Sequence, residues 1–255
     1  ISQAEALRVL ALDAENPSSV LGALHAAREN LRHARVSAPE ELWLAASNQY
    51  LLLKDAAEQP LPRVLEALSG VLEGGSRIRG VIDSNMARDA AHSFLSIGVE
   101  LERADMLLRV LGALLPTVTA HGWERAFDDV RWSGLLQALG VRSMFRQRYH
   151  HQTELSSLLD FVSIDISSPR SVVHCLRSVE AELRKLPRSE RPSAALTTAT
   201  SSAFALARAA EDDVPDAIES ILTALAAIHT ALVASYFPEP EAAPLPHADS
   251  ESDAA

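Results

Sequence analysis

The residues best placed to do chemistry lie in the stretch Ser84 to Leu115, the longest run with neither a proline nor a helix-ending turn signal. Glu102, Asp105 and Arg109 are spaced 3 and 4 apart, so on a helix they share a face beside an apolar stripe, with Gly98 below them. Arg103 points about 100° away from Glu102. The stripe is Phe94, Ile97, Leu101, Ala104, Leu108, Leu111 and Leu115; Leu95, Val99, Met106 and Val110 add a second apolar surface. Charges on a helix covered on most sides must be paired or used. One reading is a single intrahelical Asp105–Arg109 pair. A second recruits Arg28, Glu29, Asn30 and Arg32 from an earlier helix into a shared polar cluster, which could hold a ligand carboxylate or phosphate.

Other constellations are weaker. Ser18, Ser19 and Ser171 follow prolines at helix starts, where serine caps; with Arg170, free first-turn amides there could instead hold an anion. Beside His151, His150 and Glu154 could share one helical face, but no third ligand follows them, and no metal site is expected. Cys175 is mid-helix beside His174 and reads as a buried structural thiol. The sequence contains no glycine-rich phosphate loop, no nucleophile elbow and no Glu-x-x-His pair, so no cofactor is implied. Trp43, Tyr50, Trp123, Trp132 and Tyr149 read as core or interface anchors.

The elements that must position these residues are helices. Of 255 residues 47% are apolar but only 5% aromatic; Ala and Leu dominate and β-branched runs are scarce. The net charge is −11, and Glu239, Glu241, Asp249, Glu251 and Asp253 in the tail account for five of those charges. With no basic stripe, nucleic acid is not an expected partner. No apolar run approaching the ~18 residues of a membrane span was found, so no membrane contact is expected. A lone cysteine fits a reducing cytoplasm.

In chain order, 3–12 reads as the end of a helix, and a start at Ile1 inside it leads us to expect further sequence upstream. Asn16-Pro17 opens a helix to about Arg35, and Ser37 with Glu40 forms a capping box for one to about Lys54. Pro60 and Pro62 start a short helix ending at Gly74-Gly75. The central helix follows, capped by Asp83 or Ser84 and stopped by Pro116. Helical pieces to Leu139, over Val141–His151 and over Leu155–Val162 come next, then helices over 169–186, about 193–210, and from Pro215 to about Phe237. Residues 238–255 are proline-rich and acidic and are expected to be disordered.

The chain also repeats itself. DAENPSSVLGALHAARENLRHAR (13–35) aligns without gaps to DISSPRSVVHCLRSVEAELRKLP (165–187). Asp13 matches Asp165, Pro17 matches Pro169, and Ser19-Val20 matches Ser171-Val172. Asp-x3-Pro-x-Ser-Val twice at one offset favours duplication over coincidence. The counterpart of Glu102 would then lie about fifty residues before Ile1.

Several pieces together resemble a known family, the bacterial alpha-E proteins, an all-helical domain with an ER motif. They are NPSSVLGALHAARENLRHAR (16–35), Trp43 with Tyr50-Leu51, NMARDAAHSFLSIGVELERADMLLRVL (85–111), FRQRY (145–149) and LLDFVSIDISSPRSVVHCL (158–176). Departures are Ile97-Gly98-Val99 where the family usually has LGR, Leu107 where it has Thr, and Ala91-His92 where it has GW; its opening ER helix is absent. What the resemblance implies is context. Such domains are similar to those fused to, or encoded beside, circularly permuted ATP-grasp ligases, with transglutaminase-like peptidases and a proteasome-like hydrolase nearby, a theme of small-peptide amides.

The sequence therefore predicts an all-α multi-helix bundle over 1–237, built from two similar halves with its N-terminal helix missing, and a tail over 238–255. The function expected from the resemblance is a cytoplasmic accessory domain that binds or presents a peptide for an ATP-grasp-type protein, with a transglutaminase-like protein as a further partner. The alternatives are an enzyme using the Glu/Arg cluster on a small peptide or amide, and a purely structural interaction domain.

Overall fold

The structure is a computed structural model, and it describes residues 2–119, 128–150 and 154–237. His121, Trp123, His151 and the tail 238–255 lie outside the described residues. The described residues form eleven α-helices and one short 3-10 helix, with no strand among them. The fold is all-α, as composition and periodicity imply. The chain divides into two compact units, Ile1–Leu95 and Ser96–Ala255.

The first unit contains α1 (Gln3–Ala11), α2 (Val20–His33), α3 (Glu40–Ala56) and α4 (Leu61–Asn85). Helix α1 begins rather than ends here: Ser2 and Glu5 form a reciprocal capping box, Glu5 N donating to Ser2 Oγ and Ser2 N to the Glu5 carboxylate. The box expected at Ser37 and Glu40 does not form. Pro39 holds the N-cap position, and the Ser37 amide donates to Ala34 O in the turn that closes α2. The larger correction concerns α4, which runs through Gly74-Gly75 to Asn85. Interior glycines cost about 1 kcal/mol each relative to alanine. At Gly74 packing repays that cost, because a Cβ there would come 2.0 Å from the Gln49 side chain on α3. The missing side chain is what lets α3 lie against α4. Leu21, Leu53, Ala56 and Ala67 form the centre of this unit's core.

The division falls within α5 (Ala90–Thr119), so the second unit takes most of that helix. Asp83 and Ser84 belong to α4; the cap of α5 is Asp89, whose Oδ1 accepts from His92 N at 3.1 Å. Pro116 does not stop the helix, which continues one turn to Thr119. The proline has no N–H, so the Gly112 carbonyl four residues earlier loses its helical donor while the turn itself persists. The stripe is real: Ile97, Ala104, Leu108, Leu111 and Leu115 are all buried. The second apolar surface is only partly covered, and Met106 is 46% exposed.

The rest of the second unit is α6 (Asp128–Ala138), α7 (Arg142–Tyr149), α8 (Leu155–Ser163), α9 (Val172–Leu183), α10 (Glu190–Leu206), the 3-10 helix Glu211–Asp213 and α11 (Val214–Tyr236). Gly140 turns the chain between α6 and α7 with φ +68°, which glycine adopts without strain. Phe145 stacks on Tyr149 at 4.8 Å and meets Phe161 edge-on at 5.5 Å, which ties α7 to α8. The expectation that no apolar run approaches the length of a membrane span fails at α11. Residues Glu211–Tyr236 are long and apolar enough, at mean hydropathy 1.7, to cross a membrane by length and composition. Their stripe of Ile218, Ile221, Leu225, Ile228 and Leu232 is buried within this unit, where α11 packs along α10.

Candidate functional site

The repeated Asp-x3-Pro-x-Ser-Val segments fold into the same hydrogen-bonded frame. Before α9, Ser171 Oγ donates to Asp165 O at 2.6 Å and accepts from His174 N at 3.1 Å. Asp165 Oδ1 accepts from Ser167 N at 2.9 Å, and Ser168 N and Ser171 N close successive turns onto Asp165 O and Ser168 O. Before α2, Ser19 Oγ donates to Asp13 O at 2.6 Å, Gly22 N donates to Ser19 Oγ at 3.0 Å, and Glu15 N to Asp13 Oδ1 at 2.9 Å. The repeat thus encodes a helix entry in which the aspartate folds the loop and the serine caps the helix. Both serines are fully buried. Their hydroxyls are already committed, so neither is a nucleophile.

The second copy carries additional charge. Asp165, whose side chain is 4% exposed, has Oδ2 3.0 Å from Arg148 Nε of α7. Tyr149 beside it donates to Asp160 Oδ2 at 3.0 Å, and burial first of all pushes its phenol above the usual range. Arg170 is exposed and lies against Gly140, where a Cβ would come 3.0 Å from its guanidinium carbon.

Among the described residues, helix α5 brings the most enclosed ion pair to this frame. Arg103 Nη1 donates to both carboxylate oxygens of Glu100 at 2.7 Å and reaches Pro169 O at 3.4 Å. The two side chains are only 22% and 14% exposed. Below them Cys175 is fully buried, its Sγ 4.0 Å from Pro169 O. Burial, reinforced by the nearby Glu100 carboxylate and opposed by Arg103, pushes the Cys175 thiol up to about 12. It is protonated at neutral pH and cannot attack as a thiolate.

On the Glu102 face the ion pair that forms is a local one. Glu102 is exposed. Asp105 and Arg109 form their own pair, at 2.6 and 3.1 Å, and Asp105 is the main reason Arg109 holds its proton more tightly. In the first unit, Glu29 accepts from Arg32 at 2.8 Å, and this bond keeps its carboxyl below the usual range. Arg28 places its guanidinium 5.3 Å from the Tyr50 ring centroid and stands 3.8 Å from Glu29. Asn30 is exposed, and its backbone carbonyl accepts from Ala34 N. His150 is exposed and ends α7 with φ 54°. Of the residues singled out, only Arg103 belongs to the enclosed cluster. Its partner Glu100 was missed, although the i, i+3 spacing offered a signal. Asp165 was noted only as a repeat position.

Fold and site together define an all-helical domain in which a Glu–Arg pair on a central helix clamps the entry of another helix. The chain belongs to the Alpha-E family, described as a predicted alpha-helical domain with a conserved ER motif; the match covers residues 2–237. We read Glu102-Arg103 as that motif here. The chain is similar to an uncharacterised protein of Mycobacterium bovis and to two of Mycobacterium tuberculosis, each 23% identical over 186 residues. The matched region is 71% of this chain and 21% of each relative, so the chain spans about a fifth of their length. No solved structure matches.

Proposed function

We propose that this chain is a non-catalytic helical module that binds or presents a small peptide to an ATP-grasp-type ligase, with a transglutaminase-like protein as a second partner. The observation that carries this reading is the state of its most enclosed polar cluster. Glu100 and Arg103 are spent on each other and on the Pro169 carbonyl, and the only cysteine is buried and protonated. Such a centre positions backbone rather than reacting. Relatives several times as long support a domain that works alongside others. Affinity purification of the full chain from its own cells is expected to enrich an ATP-grasp protein; repeated purifications that enrich none refute the reading.

The enzymatic alternative draws support from Arg103, whose bonds to Glu100 and Pro169 all run through Nη1. The rest of its guanidinium could meet a substrate carboxylate. Turnover of a peptide amide by the purified chain, abolished by Arg103→Ala in a protein that still folds, would favour it.

A further inference from the structure

A separate feature of the second unit lies away from the Glu–Arg clamp. Between the C-terminal half of α5 and the start of α11 runs an open groove of about 630 Å3, within the range of ligand sites. Its floor is apolar, formed by Leu108 and Leu115 from one helix and Ile218 and Leu222 from the other. Gly112 also lines it, and Pro116 has no N–H to give the Gly112 carbonyl.

Among the described residues its rim is mainly acidic: Glu211, Asp212 and Glu219 line it and are exposed, and the lining Arg109, which also feels Glu219, is bound to Asp105. Glu211 and Asp212 have a local use, because acids near a helix N-terminus complement its dipole. Glu219 lies beyond the first turn of α11, where that use has ended. Three acids around an apolar floor match a ligand that has an apolar face and cationic groups.

We propose that this groove docks a cationic amphipathic peptide segment of a partner protein, its aliphatic side chains on the α5–α11 floor and its Lys or Arg groups on Glu211, Asp212 and Glu219. This is a helix-in-groove mode of recognition with electrostatic selection. The inference does not depend on the partner being a ligase, and it would stand if the proposed function failed.

The test is fluorescence anisotropy on the full chain with a fluorescein-labelled helical peptide of leucine and lysine, and with the same peptide carrying glutamate for lysine. The lysine peptide is expected to bind, and to weaken as salt rises. Its affinity is expected to fall at least tenfold in the double variant Glu211→Lys/Glu219→Lys, and likewise in Gly112→Leu, which fills the floor. The glutamate peptide is expected to bind at least tenfold more weakly than the lysine peptide. Circular dichroism checks the fold of each variant; if Gly112→Leu unfolds, the double variant, which changes only exposed side chains, decides. Failure of the lysine peptide to bind overturns the proposal, as does binding to the double variant within twofold of wild type, or equal binding of both peptides. Concentration-dependent dimerisation in sedimentation that the double variant abolishes would assign the groove to a second copy and also overturn it.

Discussion

Replacing Arg103 with alanine distinguishes the two glutamates that flank the arginine on α5. In the structure Arg103 serves Glu100, at 2.7 Å to both oxygens, and the loop carbonyl of Pro169. Breaking a fully buried pair by removing one partner costs about 3–5 kcal/mol, whereas an exposed pair is worth about 0.2–1 kcal/mol. With side chains 22% and 14% exposed, this pair falls between those limits, nearer the buried one. We therefore expect Arg103→Ala to destabilise by about 2–3 kcal/mol and Glu100→Ala by a similar amount, the double variant losing less than the sum because the partners are coupled. Glu102→Ala, at an exposed position, is expected to change stability by no more than about 0.5 kcal/mol. The sole cysteine lies beside the pair, so pulse labelling of Cys175 across a urea series reports unfolding of the unit that holds it. If Glu102→Ala costs as much as Glu100→Ala, or if the losses at positions 100 and 103 simply add, the assigned clamp is wrong.

The same thiol gives a pH prediction. Its ionisation is raised from 9.0 to about 12 by burial, so the unfolded chain ionises first and stability is intact below pH 9. It should then fall by about 1.4 kcal/mol per pH unit between 9 and 12 from this group alone; Cys175→Ala should flatten that slope, and the native thiol should resist labelling at pH 8. Ser171→Ala and Ser19→Ala each remove a cap and a bond to the loop aspartate, for an expected loss of about 1–2 kcal/mol in thermal or urea unfolding. Equal insensitivity of both would show that the repeat is not a capping device. Gly140→Ala adds a Cβ 3.0 Å from the Arg170 guanidinium at φ +68° and is expected to cost about 1–3 kcal/mol; a variant as stable as wild type would remove the case for a required left-handed turn.

Much of this was readable from residue order. Local chemistry repeats wherever the local sequence does, so the Asp-x3-Pro-x-Ser-Val segments yielded two matching helix entries that residue spacing had already paired. The α5 stripe followed from the 3.6-residue period, because burial of one face is a property of the helix itself. The Asp105–Arg109 pair is likewise local, needing only positions four apart.

What the sequence could not decide depended on partners distant along the chain. Gly74-Gly75 reads as a helix end by intrinsic propensity, yet α4 runs through both, and Gln49, twenty-five positions before Gly74, fills the space that Gly74 leaves. Choosing between Glu100 and Glu102 as the partner of Arg103 required the loop at Pro169, sixty-six residues away, which draws the arginine to its own side of α5. The motif by itself determined an all-helical chain with an arginine on its central helix. Only tertiary packing, by enclosing one side of that helix and leaving the other in water, decided that the arginine acts as a clamp and that the neighbouring Glu102 is a surface charge.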